Sequence, residues 1–116
     1  MQKKSKTVKF SEKKIICNTF ISRGTGLMFR GKNSLNNKIW IFKFNSPTFI
    51  SITMMFVFFP IDIIFIRNNK IVEIKKNLKP FTLSYNTKSQ IDTFIELKKG
   101  AISKKGIKVG QKINLS

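Results

Sequence analysis

The chain has 116 residues, enough for one domain around one core, and a hydrophobic fraction of 41% that includes 12 Phe excludes a disordered chain. Lys and Arg number 23 against 5 Asp and Glu, a formal charge of +18, with no His and one Cys. These counts exclude an intrachain disulfide, a Cys/His zinc site and acid–base chemistry by histidine.

The start, Met1-Gln2-Lys3-Lys4-Ser5-Lys6, is basic and no apolar signal core follows it, so a cytoplasmic location is expected. Residues 1–7 read as a flexible basic tail on a single domain spanning 1–116. Val8 to Phe10 and Ile15 to Phe20 read as two early strands, with Cys17 as a small buried thiol in the second. Ser22 to Phe29 reads as a short helix, weakened by Gly24 and Gly26. Gly31 to Ser34 and Asn36 to Lys38 read as loop. Ile39-Trp40-Ile41-Phe42-Lys43-Phe44 is apolar on both faces, the mark of a central strand covered on two sides, and Asn45-Ser46-Pro47 is expected to end it.

Phe49 to Ile66 is the one run long enough to raise the question of a membrane span. Pro60 and Asp62 inside it, with its β-branched and aromatic content, argue instead for two buried strands, Phe49 to Phe58 and Ile61 to Arg67. No membrane partner is expected. Arg67-Asn68-Asn69-Lys70 reads as a hairpin turn in which Asn supplies positive φ, and Ile71 to Lys76 as the returning strand. Asn77 to Gln90 reads as a long connection tacked to the core by Phe81 and Tyr85. Thr93 to Leu97 alternates as a strand, Gly100 to Gly110 reads as turns or one helical turn, and Lys112 to Leu115 as a last strand. The expected fold is mainly β: a small β-sandwich or irregular barrel with one short helix.

Gly26-Leu27-Met28-Phe29-Arg30, then Met54-Met55-Phe56-Val57-Phe58-Phe59-Pro60-Ile61-Asp62-Ile63-Ile64-Phe65-Ile66, then Val72-Glu73, Lys79-Pro80, Ile95-Glu96-Leu97-Lys98-Lys99-Gly100 and Gly110 occur in an order that resembles the domain-of-unknown-function family 192, in particular its archaeal-type members. The resemblance covers about Val8 to Leu115. It implies a small β-sandwich-like domain with one short helix and no assigned activity. The chain departs from the family pattern at Thr53, where His is frequent, and at Arg67 and Gln111, where Asp is frequent.

Asp62 is the most informative residue, because alternation places it on one strand face with Ile64 and Ile66. A carboxylate there must be paired or hydrogen-bonded. The first reading is structural: an ion pair with Arg30, or a side chain that caps backbone amides. The sharper reading is a ligand pocket formed by Arg30, Thr53 and Asp62, in which Arg30 holds a small anion or a protein partner's acid and Asp62 orients it. Glu96 alternates with Phe94 and Lys98 and reads as a solvated or salt-bridged strand residue; a carboxylate pair with Asp62 would be needed for hydrolytic chemistry. Glu12, Glu73 and Asp92 read as surface charges. Gly24-Thr25-Gly26 lacks the rest of any phosphate-loop or dinucleotide pattern, so no cofactor is expected. Lysines crowd both ends of the chain. If the termini lie side by side they form one basic face, suited to nonspecific nucleic-acid binding, while the scarcity of Arg argues against base reading.

Overall fold

The computed structural model describes residues 7–17, 32–55 and 57–115. The expected helix over Ser22 to Phe29, the end of the second early strand, and Arg30 lie outside them. The strands are β1 (Val8–Lys9), β2 (Lys13–Cys17), β3 (Lys38–Thr48), β4 (Ser51–Ile52), β5 (Ile61–Arg67), β6 (Lys70–Leu78), β7 (Tyr85–Asn86), β8 (Ile91–Lys98) and β9 (Ile113–Asn114), with a five-residue helix α1 (Ala101–Lys105). A 3-10 turn, Lys32–Leu35, precedes β3.

The central sheet has the order β2-β3-β8-β5-β6, parallel between β2 and β3 and antiparallel elsewhere. Its two ends do not pair with each other, so among the described residues it is an open sheet rather than a barrel. Two small ribbons cover it. The β4–β7 pair lies over one face, and the parallel β1–β9 pair with α1 lies over the other.

The sequence pattern explains the layers. In β3, Trp40 and Phe42 join one core cluster while Ile39 and Ile41 join the other. In β5, Ile61, Ile63 and Phe65 go to the first and Ile64 and Ile66 to the second. Unbroken apolar runs are what a two-sided strand requires. On the first face Phe42 and Phe94 stack with ring centroids 4.6 Å apart, and Ile52, Met54 and Val57 close the cluster from above. On the second, Ile102, Ile107 and Ile113 do so. Cys17 is buried in the first cluster. Among the described residues no helix is long and apolar enough to cross a membrane.

Several expectations are corrected. Asn45-Ser46-Pro47 does not end β3, which runs on to Thr48. The ladder to β8 instead loses register between Lys43 and Thr48, where Pro47 has no N–H to give. The stretch from Phe49 is a strand only at Ser51–Ile52 and then an irregular covering segment. Phe81 is not tucked into the core: it is 53% exposed with a φ of 63°. Tyr85 does tack its connection down, stacking on Phe65 at 5.7 Å and donating its hydroxyl hydrogen to Glu73 Oε2. The β5–β6 turn is as expected, with Asn68 and Asn69 at φ 53° and 60°, the pair of positive values a tight hairpin needs.

Asp62 holds three parts of this frame together. The β5–β6 register shifts between Ile61 and Ile63, leaving Asn77 at φ 53° outside the ladder; its N–H donates to Asp62 Oδ1 at 2.9 Å. The residue at the N-cap of α1 is Gly100, which has no side chain to cap the helix. Asp62 Oδ2 does so from 38 residues away, accepting from the N–H groups of Gly100 at 3.1 Å and Ile102 at 3.0 Å. The helix closes with Gly106 at φ 66° and the Ile107 N–H on the Ile102 carbonyl at 3.0 Å, with both isoleucines buried.

Removing the carboxylate leaves these amides without acceptors in a place 1% exposed. We predict that Asp62→Ala lowers unfolding free energy by about 3 kcal/mol in urea denaturation, and that amide exchange accelerates first at Asn77, Gly100 and Ile102. A loss under about 1 kcal/mol would show that the bonds contribute little.

Candidate functional site

Of the sequence-expected pocket of Arg30, Thr53 and Asp62, the described residues include only Thr53 and Asp62. Arg30 lies outside them. Thr53 is exposed, and its Oγ1 accepts the Met55 N–H at 3.2 Å. Asp62 is spent on backbone amides, the capping role among the structural readings. The suggested carboxylate pair is also separated. Asp62 stands opposite Leu97 in the β5–β8 ladder and shares the face of Ile64 and Ile66. Glu96, one position along, faces the other way with Trp40 and Ile63. The thickness of the sheet lies between the two acids.

Glu96 is not the solvated strand residue its neighbours suggested. It is 7% exposed, among the described residues Oε1 has no hydrogen-bond partner, and burial pushes its carboxyl up to about 8. The Ser34 hydroxyl is likewise buried without a partner among the described residues, and the Trp40 Nε1–H donates to the Ser34 carbonyl at 2.9 Å. The other acids serve the backbone or one lysine. Asp92 accepts the turn N–H of Asn68 at 2.9 Å, and Glu73 accepts that of Lys88 at 3.0 Å as well as the Tyr85 hydroxyl. Burial first, then Glu73, push the Tyr85 phenol up to about 12, so it remains a donor. Glu12 pairs with Lys105 at 3.0 Å. Burial works to raise the Glu12 carboxyl, but hydrogen bonds from Lys105 and its own backbone, with the charges of Lys105 and Lys14, hold it below its usual value.

The concave feature that carries charge is elsewhere. A cleft of about 640 Å³ opens where β3 begins and β8 ends, walled by Lys38, Lys98, Lys99, Lys104 and Lys105 with Glu12. Asp62 supports it from below, because the Gly100 amide it holds belongs to the turn between Lys99 and α1. A second cleft of about 360 Å³ adjoins it, sharing Leu35, Lys98 and Lys99 and adding Asn33, Asn36, Phe59 and Pro60. Sequence reading named most of these lysines only as part of a crowded terminus and missed Asn33, Asn36 and Phe59. The available signal was Lys98-Lys99-Gly100 and Lys104-Lys105-Gly106, two lysine pairs each followed by a glycine of positive φ. Among the described residues no group of three potential metal ligands is found.

Glu96 makes stability depend on pH with a definite sign. The unfolded chain releases this proton near the ordinary value of 4.5, while the folded chain keeps it until about 8. Its contribution is therefore complete below 4.5 and is lost as pH rises toward 8. We predict that Glu96→Gln, compared with the parent by urea denaturation across that range, gains on it by about 3 kcal/mol between pH 4.5 and neutrality. A difference that stays constant with pH would show that Glu96 titrates normally.

Comparison with known proteins places this geometry. No functionally curated protein matches the chain. A crystal structure of a protein of unknown function from Novosphingobium aromaticivorans DSM 12444 superposes with a TM-score of 0.75 at 26% identity, over 85% of this chain and 71% of that one. A putative transcription regulator from Sinorhizobium meliloti 1021 superposes with a TM-score of 0.78 at 21% identity, over 85% and 78%, which is a likeness of fold. The family described as DUF192, Uncharacterized ACR, matches residues 2–115. With the fold shared and nearly the whole length matched, the chain belongs to the DUF192 family.

Proposed function

We propose that this protein is a binding module for anionic ligands, with its site in the lysine-walled cleft at the end of β8. The observation that carries the reading is the concentration of Lys38, Lys98, Lys99, Lys104 and Lys105 around one concavity whose lining acid, Glu12, is already engaged by Lys105. Ammonium groups brought together in a cleft raise the local potential and favour a bound anion over diffuse counterions. Of the remaining acids, Glu73, Asp92 and Glu96 do not line the cleft, and Asp62 lies beneath it on the Gly100 amide, so five lysines stand against two nearby acids. In this reading Asp62 does not touch the ligand. It holds the turn that carries Lys98 and Lys99 in place before the ligand arrives.

A second reading, nonspecific nucleic-acid binding, is favoured by a separate observation. β1 pairs with β9, Val8 beside Ile113 and Lys9 beside Asn114, and Lys70 bridges to Lys112. The strands next to the two lysine-rich ends thus lie side by side, and Lys105 reaches over the Phe10 ring at 5.5 Å, joining that face to the cleft. Such binding would fall steeply with salt and show no sequence preference.

The two readings separate in calorimetric titration with inorganic pyrophosphate. We predict that replacing Lys98, Lys99 and Lys104 together by Gln weakens pyrophosphate binding by about tenfold or more. The same change at the exposed Lys70 and Lys88, which lie at the opposite end of β8 from Lys98, leaves it unaltered. Equal weakening in both triple and double variants, or no binding by the parent, overturns the cleft as the site.

A further inference from the structure

We infer that the ligand is a nucleoside phosphate, its phosphate in the lysine-walled cleft and its base in the adjoining smaller one; this rests on the anion-binding reading above. The two clefts are not separate features. Leu35, Lys98 and Lys99 line both, so one molecule extending past Lys98 occupies them together. Their volumes, about 640 and 360 Å³, both fall within the roughly 300–1,000 Å³ of small-molecule sites.

The chemistry of the walls changes along that path. The first is cationic, and inorganic anions would satisfy it. The second has few charges beyond the shared lysines: its walls are Leu35, the half-buried Phe59 ring and Pro60, a surface suited to the flat face of a heteroaromatic group. Two amides stand at its edge. Asn36 Nδ2–H donates to Asn33 Oδ1 at 3.0 Å, which fixes the pair and leaves the Asn33 NH2 as donor and the Asn36 carbonyl oxygen as acceptor. A planar group with donors and acceptors on its rim, joined to an anion, meets all three demands. A bare phosphate uses only the first cleft, and a purely apolar acid leaves the amides unused. The Asn33–Asn36 turn is itself anchored, since the Ser34 carbonyl within it accepts from the buried Trp40 indole.

The free nucleotide and the 5′-phosphorylated end of a strand offer the same chemistry, and the test carries an arm for each. The parent protein is titrated by NMR with inorganic phosphate, adenosine, AMP and the dinucleotide pApA. AMP is expected to bind about tenfold or more tighter than phosphate, with shifts at the amides of Asn33 to Asn36 that phosphate does not cause. Phe59→Leu, which keeps apolar bulk and loses the aromatic face, is expected to bring AMP down to the level of phosphate while phosphate binding is unchanged. Phe59→Ala should do the same wherever its spectrum shows the parent fold. AMP as tight as pApA assigns the free nucleotide, and tighter pApA assigns the strand end; both support the inference. AMP and phosphate binding equally to the parent, or Phe59→Leu weakening both alike, overturns it while leaving the anion site intact. Failure of phosphate and AMP alike overturns the anion-binding reading as well.

Discussion

Much of this structure hangs on a single carboxylate. Asp62 sits on a strand that is otherwise apolar, in the layer between the central sheet and α1, and accepts hydrogen bonds from Asn77, Gly100 and Ile102. Each of those amides is orphaned for its own reason: one by a bulge, two at the start of a helix whose N-cap is glycine. Buried N–H groups must find acceptors, and an ionised carboxylate has enough lone pairs to serve all three at once. The bulge, the β8–α1 turn and the cleft beside it are thereby fixed relative to one another.

The same economy explains the charge. A chain with 5 acids and 23 basic residues could have used its acids to neutralise lysines. Among the described residues, Glu12 alone does so. Asp62, Glu73 and Asp92 accept backbone N–H groups where the ladder is interrupted, at a bulge, a connection and a hairpin turn. Lysines outnumber the acids whatever those acids bind, and five of them gather where β8, the start of β3 and α1 form a concavity. A lysine excess that codon bias alone could create becomes, in three dimensions, a localised cationic site.

Glu96 shows the opposite use of an acid. It lies between Trp40 and Ile63 in the sheet, with an oxygen that no described residue satisfies, and burial keeps its carboxyl protonated up to about 8. That neutral acid tolerates the apolar cluster around it, whereas its ionised form would not. Because it and Asp62 face opposite sides of one sheet, the two cannot act together on a common substrate atom.

The sequence by itself determined the central strands, the fold class and the family. Two-sided apolar runs such as Ile39 to Phe42 and Ile61 to Ile66 admit few alternatives to buried strands, and Asn68-Asn69 dictates its turn from local backbone preference. It also singled out Asp62, since an acid in such a run must be answered. Which groups answer it was decided by tertiary structure, because the partners lie 15, 38 and 40 residues away and nothing in their local pattern assigns them to Asp62. The same holds for Glu96, whose alternation with Phe94 and Lys98 is as compatible with an exposed face as with a covered one until β4 and its loop are laid over it. Neither cleft was legible either. Asn33, Phe59 and Lys98 are far apart in the chain and meet only where three elements end together, and local pattern carries no record of which ends those are.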